Sequence, residues 1–255
     1  MTWQTIIILL AYFTLWYIVG AIIKNASIID IGWGLGFVVL AAIGFVQNMT
    51  LVSAVVTLLV AIWGIRLTYH IFRRNAGKPE DFRYANFRRE WGRAYYIRSY
   101  FQLFMFQAAM MFLISMSFVY ANALGTVESL GLFIAGMIIW LVGFLFEAIG
   151  DSQLKKFARN PANKGKLINT GLWKYTRHPN YFGEATLWWG VFAMAIACGA
   201  PWYTVASPIT ITLLVRFISG VPMLEKNLKK REGYENYVRK TSIFIPWFPK
   251  GDNNE

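Results

Sequence analysis

The chain has 255 residues, of which 56% are hydrophobic, 17% are aromatic and 15% are charged. This composition is too apolar for an ordinary soluble domain and indicates a polytopic membrane protein. Although the net charge is +12, the basic residues lie in loops between apolar runs, which argues against nucleic-acid binding. The single cysteine excludes an internal disulfide, and the two histidines lack the spacing of a metal site.

Seven apolar runs predict an all-α fold with about seven transmembrane helices. The predicted spans cover about residues 3–23, 29–47, 51–72, 99–121, 129–150, 183–200 and 203–221. The second and sixth are short enough to be tilted, broken or partly re-entrant. Because the sequence shows no repeat, linker or low-complexity segment, we expect one integral membrane domain over residues 1–255.

Lysine and arginine are concentrated in three segments. Eight fall in 73–98, seven in 155–177 and seven in 226–250, whereas 121–129 and 199–203 have none. Basic loops stay on the cytosolic side of a membrane. This alternation predicts an external N-terminus and a cytosolic C-terminus.

Asp30 lies at the start of the second predicted span, within Ile28–Gly36. An ionisable residue at the membrane is expected to be paired or functional. The alternative is that Asp30 caps the helix that begins there. The glycines of this segment lack the preceding strand and the spacing of a dinucleotide fingerprint, so they indicate close helix packing.

Tyr69 lies near the end of the third predicted span, on one helical face with Arg66. Its hydroxyl could donate a hydrogen bond or a proton to a carbonyl oxygen. The alternative is that Arg66 snorkels and Tyr69 belongs to the interfacial aromatic belt. The loop 73–98 mixes aromatic and basic residues, which is typical of an amphipathic helix at the lipid headgroups.

The segment 151–182 is a candidate cofactor-binding loop on the cytosolic side. It starts with Asp151, one helical turn after Glu147, so both carboxylates share a face. Turn-forming residues at 160–166 and 169–171 follow a run of cations. A long cytosolic loop with this many hydrogen-bond donors is suited to an anionic cofactor.

The stretch Gly171–Glu184 carries the densest set of polar side chains before an apolar run. Pro179 forces His178 out of helical geometry, and Asn180 and Glu184 then share one helical face. An amide and a carboxylate on one face suit recognition of a neutral amide or of ribose hydroxyls. Three neighbouring side chains supply donors for phosphate: Lys174, Tyr175 and Arg177. A capped helix start would explain one or two of these polar residues, but not all of them.

The C-terminal segment 222–255 contains many cations, together with Glu225, Tyr234 and Tyr237, and ends in the aromatic run Ile243–Pro249. Two interpretations carry equal weight. One is electrostatic anchoring to anionic lipid, and the other is contact with a cofactor.

Gly171–Glu184 resembles the signature of the steroid 5-alpha-reductase superfamily, in particular its bacterial branch of domains of unknown function. The resemblance covers nearly the whole chain. Its other parts are Ser27-x-x-Asp30-x-x-Trp33, Trp63-Gly-x-Arg66-Leu67, Glu80-Asp81-x-Arg83-Tyr84 and Asp151-x-Gln153-x-Lys155-Lys156-x-x-Arg159-Asn160. The resemblance implies a membrane reductase that holds NADPH in a cavity open to the cytosol and reduces a carbon–carbon double bond of a lipophilic substrate. It also implies a multi-pass protein of the bacterial inner membrane, in contact with membrane lipid.

The resemblance also implies roles for individual residues. Tyr69 matches the tyrosine that polarises the substrate ketone, and Asp30 is the proposed acidic partner. The implied cofactor-binding residues are Glu147, Asp151, Asn180, Tyr181 and Glu184, with Glu225 and Tyr237 aligned loosely in the C-terminal segment. The phosphate and loop candidates are Lys155, Arg159, Asn169, Tyr175, Arg177 and His178. No metal ligand is predicted.

The tripeptide Arg177-His178-Pro179 differs from the motif of the steroid 5-alpha-reductases and is nearer to that of sterol reductases. The sequence therefore allows a steroid, a sterol, a quinone-like compound or an unsaturated lipid as the substrate. The same motif occurs in isoprenylcysteine and phospholipid methyltransferases, which bind S-adenosylmethionine. A membrane methyltransferase is therefore the alternative function. A non-catalytic lipid-binding protein is the second alternative, which the many donors of 151–184 disfavour.

Overall fold

The computed structural model describes residues 3–251, and most of these residues are helical. The described residues form no β-strand, and one isolated parallel bridge joins Thr176 to Ser242. Within residues 3–251, six helical stretches are long and apolar enough to cross a membrane: Trp3–Ile22, Ile28–Gln47, Leu51–Asn75, Phe82–Leu124, Leu130–Arg159 and Trp202–Leu228. The prediction of an all-α, multi-pass membrane protein is confirmed.

The predicted sixth span, 183–200, differs from the others. It corresponds to the 19-residue helix Pro179–Ala197, which is absent from the six apolar stretches of the described residues. This helix includes Asn180 and Glu184 as well as two tryptophans, which lower its mean hydropathy. Along it, Trp189 is the one exposed side chain, at 40%. The helix is therefore enclosed by protein over most of its length, and polar residues are tolerated there.

The chain divides into two compact units. The first comprises the chain up to Ser129 together with Ala195–Ala206. Its α-helices are α1 (Trp3–Ile22), α2 (Ile28–Gln47), α3 (Leu51–Asn75), α4 (Phe82–Trp91), α5 (Tyr95–Ser99) and α6 (Phe106–Leu124). Its shorter helical segments are the 3-10 turns Gly92–Ala94 and Trp202–Val205 and the π-helical turn Tyr100–Met105, which joins α5 to α6.

Helices α2 and α3 pack closely because glycines face each other at their crossing. A Cβ on Gly34 would lie 2.4 Å from the carbonyl oxygen of Gly64. The turn between the two helices is closed by a capping box, in which Thr50 accepts a hydrogen bond from the backbone of Ser53. This fixes α2, and with it Asp30, against α3.

The second unit comprises Leu130–Met194 and the chain from Ser207 onward. Its α-helices are α7 (Leu130–Arg159), α8 (Pro179–Ala197), α9 (Ala206–Leu213), α10 (Val221–Leu228) and α11 (Tyr234–Lys240). Its shorter helical segments are the 3-10 turns Pro161–Asn163 and Gly171–Lys174 and the π-helical turn Leu214–Ile218.

Glycines at heptad spacing bring the backbones of α7 and α8 into contact. A Cβ on Gly143 would lie 2.4 Å from the backbone nitrogen of Leu187, and one on Gly183 would lie 2.4 Å from that of Glu147. Gly190 meets the backbone of α7 in the same way, one heptad further along. Small residues of this kind let membrane helices approach closely. The start of α8 is thereby held against the polar end of α7.

Candidate functional site

The start of α8 meets the end of α7 through polar side chains. Asn180 donates a hydrogen bond from Nδ2 to the Asp151 carboxylate, at 3.1 Å. Glu147 is 3% exposed, whereas Tyr181 and Glu184 are half-buried. The structure therefore brings together an amide and a carboxylate that the sequence predicted as parts of one site.

The turn that precedes α8 is also bonded to α7. Trp173 donates from Nε1 to the carbonyl oxygen of Gly150 at 3.1 Å, and the backbone nitrogen of Leu172 donates to Gln153 at 3.0 Å. Gly171, which has a φ of +61°, allows this turn, and a Cβ there would lie 2.4 Å from Gln153. The motif 171–184 is thus fixed to α7 at both of its ends.

Four side chains, Arg177, His178, Glu225 and Tyr234, form a largely buried cluster that we call the Glu225 clasp. Arg177 donates from Nε to Oε1 of Glu225 at 3.1 Å and from Nη2 to Oε2 at 3.2 Å. His178 Nε2 lies 2.8 Å from Oε1, and the hydroxyl of Tyr234 donates to Oε2. Burial raises the pKa of Tyr234 to about 12, as does the hydrogen bond to the carboxylate. The Glu225 carboxylate thereby receives four hydrogen bonds.

The clasp fastens the C-terminal tail, residues 221–250, to the motif. Arg177 donates from Nη1 to the carbonyl oxygen of Thr241 at 2.8 Å. Tyr237, which is 7% exposed, donates its hydroxyl to the carbonyl oxygen of Trp173 at 2.6 Å. The backbone nitrogen of Trp247 donates to the carbonyl oxygen of Tyr175 at 3.0 Å. The tail therefore runs along the segment 173–177.

These bonds give three predicted cofactor contacts another role. Arg177 is a predicted phosphate ligand, and in the structure its Nε, Nη1 and Nη2 atoms each donate to a protein acceptor. Glu225 and Tyr237, which the resemblance implies as cofactor contacts, both bond the motif itself. The sequence could not show this arrangement because Arg177 and Glu225 are 48 positions apart.

His178 is fully buried, with 0% of its surface exposed, and its ring stacks on that of Tyr181 with the centroids 5.8 Å apart. Burial lowers the pKa of His178 below its usual value, and the hydrogen bond with Glu225 offsets this effect only in part. The neutral ring donates its Nε2 proton to Glu225, because a carboxylate cannot donate. Its Nδ1 atom, like Oδ1 of Asn180, has no hydrogen-bond partner among the described residues.

A basic pocket of about 360 Å³ lies at the end of α7. Its lining includes three cations, Arg159, Lys164 and Arg231, and the amide side chains of Asn160 and Asn163. Arg231 comes from the tail and donates to the carbonyl oxygen of Lys166 at 2.7 Å. The sequence predicts Arg159 as a phosphate ligand but not Arg231, because the basic run 226–231 does not show which of its cations lies beside the end of α7.

The other predicted residues of this region are more open. Lys155 and Asn169 are exposed, and Tyr175 is 37% exposed with its ring edge-on to that of Phe248. Their side chains are accessible to a ligand, so contact with a cofactor stays a prediction for these three residues.

In the first unit, Asp30 belongs to a network of charged and phenolic groups. Arg83 donates from Nη2 to Oδ2 of Asp30 at 2.9 Å, and the hydroxyl of Tyr84 donates to Oδ1 at 2.6 Å. The N-cap position of α2 belongs to Ser27, and no side-chain capping bond forms there. Asp30 is therefore paired in the way expected of an ionisable residue at a membrane, and it is not a helix cap.

The phenol bound to Asp30 differs from the one that the sequence suggested. Tyr84 is 5% exposed, whereas Tyr69 is 62% exposed. Asp81 caps α4 by accepting from the backbone of Arg83, so the start of α4 delivers Tyr84 to Asp30. The predicted amphipathic helix in the loop 73–98 thus supplies partners of Asp30 that its composition did not reveal.

Residues 16–241 match the model of a family described as "Protein of unknown function (DUF1295)". The chain belongs to this family. It is 31% identical over 117 residues to 3-oxo-5-alpha-steroid 4-dehydrogenase 1 of Rattus norvegicus, over 45% of this chain and 41% of that protein. The Mus musculus protein of the same name is 39% identical over 117 residues, 45% of this chain and 42% of that protein.

A second kind of relative carries a different name. The chain is 35% identical over 100 residues to "Probable O-methyltransferase ustE" of Ustilaginoidea virens, which covers 39% of this chain and 34% of that protein. Each of these three matches spans less than half the length of the relative. No solved structure matches the chain. The resemblance of this DUF1295 member to the steroid 5-alpha-reductase superfamily is confirmed.

Proposed function

We propose that this DUF1295 protein is an NADPH-dependent membrane reductase that saturates a carbon–carbon double bond conjugated to a carbonyl in a lipophilic substrate. The observation that carries the proposal is the polar face of α7. Asp151 lies near one end of that face beside Asn180, and Arg159 opens the basic pocket roughly 12 Å further along the helix. The similarity to proteins named as 3-oxo-steroid dehydrogenases supports the reaction class.

The residues present fit a phosphorylated dinucleotide. Arg159, Lys164 and Arg231 would bind phosphate through charge-assisted hydrogen bonds. Lys155 and Asn169 would extend this contact from the exposed loop. Unpaired acceptors at the start of α8 offer hydrogen bonds to neutral donors of the same ligand. When bound, the cofactor supplies a hydride for the electrophilic carbon of the substrate.

The substrate carbonyl needs a donor as negative charge grows on its oxygen. Tyr69 is the donor that the family resemblance implies, and its exposure leaves its hydroxyl accessible. Tyr84 donates its single hydroxyl proton to Asp30, so in this proposal Tyr84 and Arg83 hold the Asp30 carboxylate in place. In this proposal residues 1–255 act as one domain of the bacterial inner membrane, with the basic loops and C-terminus in the cytosol.

The test is ligand binding to the purified chain in detergent, with NADPH, NADH and S-adenosylmethionine compared. We expect NADPH to bind more tightly than NADH, and Arg159→Glu to weaken NADPH binding roughly 10- to 100-fold, the scale of a lost charge-assisted hydrogen bond. Lys24→Glu makes the same charge change at an exposed position of the first unit and is expected to leave binding unchanged.

Turnover is followed as loss of NADPH absorbance with a panel of lipophilic enones that includes a 3-oxo-4-ene steroid. Equal affinity of wild type and Arg159→Glu for NADPH would remove the basic pocket from the proposal. Failure of wild type to bind NADPH at all would reject the reductase.

A membrane methyltransferase is the second candidate, favoured by the similarity to a protein named as a probable O-methyltransferase. S-adenosylmethionine has no phosphate and carries a net positive charge, so the cations around Arg159 are not expected to strengthen its binding. Binding of S-adenosylmethionine that is unchanged in Arg159→Glu, with no binding of NADPH, would support this function instead.

A further inference from the structure

Glu225 fixes which nitrogen of His178 carries a proton. The ring nitrogen Nε2 lies 2.8 Å from Oε1 of Glu225, and an ionised carboxylate can only accept. Nε2 is therefore the donor, and Nδ1 of the neutral ring is a bare acceptor. His178 is 0% exposed, and Nδ1 has no hydrogen-bond partner among the described residues.

Asp151 fixes the orientation of Asn180 in the same way. The amide nitrogen Nδ2 donates to Oδ1 of Asp151 at 3.1 Å, so the amide oxygen points to the other side of the group. That oxygen is buried and, within the part of the chain described by the structure, has no donor. The two side chains that flank Pro179 are thus each oriented by a carboxylate, which leaves one acceptor atom of each without a partner among the described residues.

Buried acceptors without donors are unfavourable and rare in folded proteins. We propose that Nδ1 of His178 and Oδ1 of Asn180 are ligand-binding acceptors that together select a ligand group with two hydrogen-bond donors. This inference rests on the proposed function and deepens it. We expect these donors to come from the nicotinamide half of the dinucleotide, as either the N–H bonds of its carboxamide or the vicinal hydroxyls of its ribose.

Glu225 and Asp151 then act as positioning residues. Neither needs to touch the ligand, since each acts by holding one face of a neighbouring side chain. This arrangement explains why the motif and the tail share a buried carboxylate. Replacements of His178 can distinguish the effect of its bond to Glu225 from the effect of its unpaired acceptor atom Nδ1.

Two substitutions make that distinction. His178→Gln can place an amide N–H near the position of Nε2, which keeps the bond to Glu225 and removes the Nδ1 acceptor. His178→Asn can place an amide oxygen near the position of Nδ1, which keeps the acceptor and removes the bond to Glu225. The two variants therefore have opposite effects on ligand binding and on the Glu225 clasp.

The experiment measures NADPH affinity by calorimetry and ligand-free thermal unfolding of the full chain in detergent. We expect His178→Gln to unfold close to wild type but to bind NADPH about ten-fold more weakly, the size of one buried hydrogen bond. We expect His178→Asn to unfold at a lower temperature while it keeps more of the NADPH affinity. Wild-type affinity in His178→Gln, or a greater loss of affinity in His178→Asn, overturns the proposal.

Ligand analogues test the same acceptors without a variant that could fail to fold. The 3-acetylpyridine analogue of NADP+ lacks the carboxamide N–H donors, and a deoxyribose analogue lacks one ribose hydroxyl. We expect one of the two to bind wild type at least about ten-fold more weakly than NADP+, and that difference to become smaller in His178→Gln, in which only the Asn180 acceptor is left. The affected analogue identifies the donor group, and equal binding of both analogues and NADP+ overturns the proposal.

The outcomes also separate this inference from the proposed function. Tight NADPH binding that is insensitive to His178→Gln leaves the reductase standing and rejects the acceptor pair. Binding of S-adenosylmethionine in place of NADPH rejects the reductase. In that case weaker S-adenosylmethionine binding by His178→Gln than by His178→Asn supports the pair, and the reverse order rejects it. Binding of none of the three ligands rejects both.

Discussion

The crossing of α7 and α8 leaves no room for a side chain at Gly143. A Cβ there would lie 2.4 Å from the backbone nitrogen of Leu187 and 2.6 Å from the carbonyl oxygen of Gly183, whereas ordinary contact begins at 3.4 Å. Both neighbours are backbone atoms, so the helices would have to separate by about 1 Å to restore contact distances. Overpacking of this kind typically costs about 1–3 kcal/mol. We expect Gly143→Ala to lower the free energy of unfolding by that amount.

Gly131→Ala is the matched control. Gly131 lies on the same helix, but a Cβ there meets no heavy atom within 4 Å. Because alanine is the better helix former, this variant should be as stable as wild type or more stable by up to about 1 kcal/mol. Thermal unfolding of both variants in the same detergent measures the difference. Equal stability of the two would refute the close-packed crossing.

The crossing also positions the site, so the same variant has a functional consequence. Gly183 lies against the backbone of Glu147, and Asn180 reaches Asp151 one turn further along. A separation of about 1 Å is enough to break a hydrogen bond of 3.1 Å. We therefore expect Gly143→Ala, but not Gly131→Ala, to weaken NADPH binding.

Three further predictions concern the Glu225 clasp, the candidate substrate donor Tyr69, and the bond between Tyr84 and Asp30. Glu225→Ala removes the carboxylate that pairs with the buried Arg177, so it should lower the free energy of unfolding by about 3–5 kcal/mol. Glu235→Ala changes an exposed position of the tail and should be nearly neutral. Similar losses of stability in both variants would contradict the clasp. Tyr69→Phe should spare folding, because the side chain is 62% exposed, and should slow turnover of an enone substrate about 100-fold if its hydroxyl stabilises the oxyanion. Normal turnover in Tyr69→Phe would eliminate Tyr69 as the donor. Tyr84→Phe should instead lower the free energy of unfolding by about 1–2 kcal/mol, because it removes the hydrogen bond to Asp30.

Helical periodicity explains which parts of the site could be predicted from the sequence. Glu147 and Asp151 are four residues apart, and so are Asn180 and Glu184, so each pair shares a helical face whatever the tertiary fold. The all-helical membrane fold followed from the apolar runs. The run that forms α8 predicts a short span that could be tilted, broken or partly re-entrant, and the polar residues and tryptophans of α8 indeed make it less hydrophobic than the six apolar stretches.

The missed contacts are those between segments far apart in the chain. Asp30 meets Tyr84 across 54 positions, and Arg177 meets Glu225 across 48. No local pattern specifies such pairs, since many basic and phenolic residues of the loops could serve equally. The heptad spacings of Gly136 to Gly143 and of Gly183 to Gly190 are visible in the sequence, but they do not show which two helices pack together. Tertiary packing makes that choice.

The tail links the two proposed halves of the ligand site. Glu225 orients His178, and Arg231 enters the basic pocket beside Arg159, so a single short segment serves both. A ligand that bonds both ends binds only the folded arrangement of this segment and must stabilise it by mass action. The ion pair between Arg177 and Glu225 contributes to this arrangement. The charge of Arg177 allows a carboxylate to be buried at the place where His178 requires an acceptor.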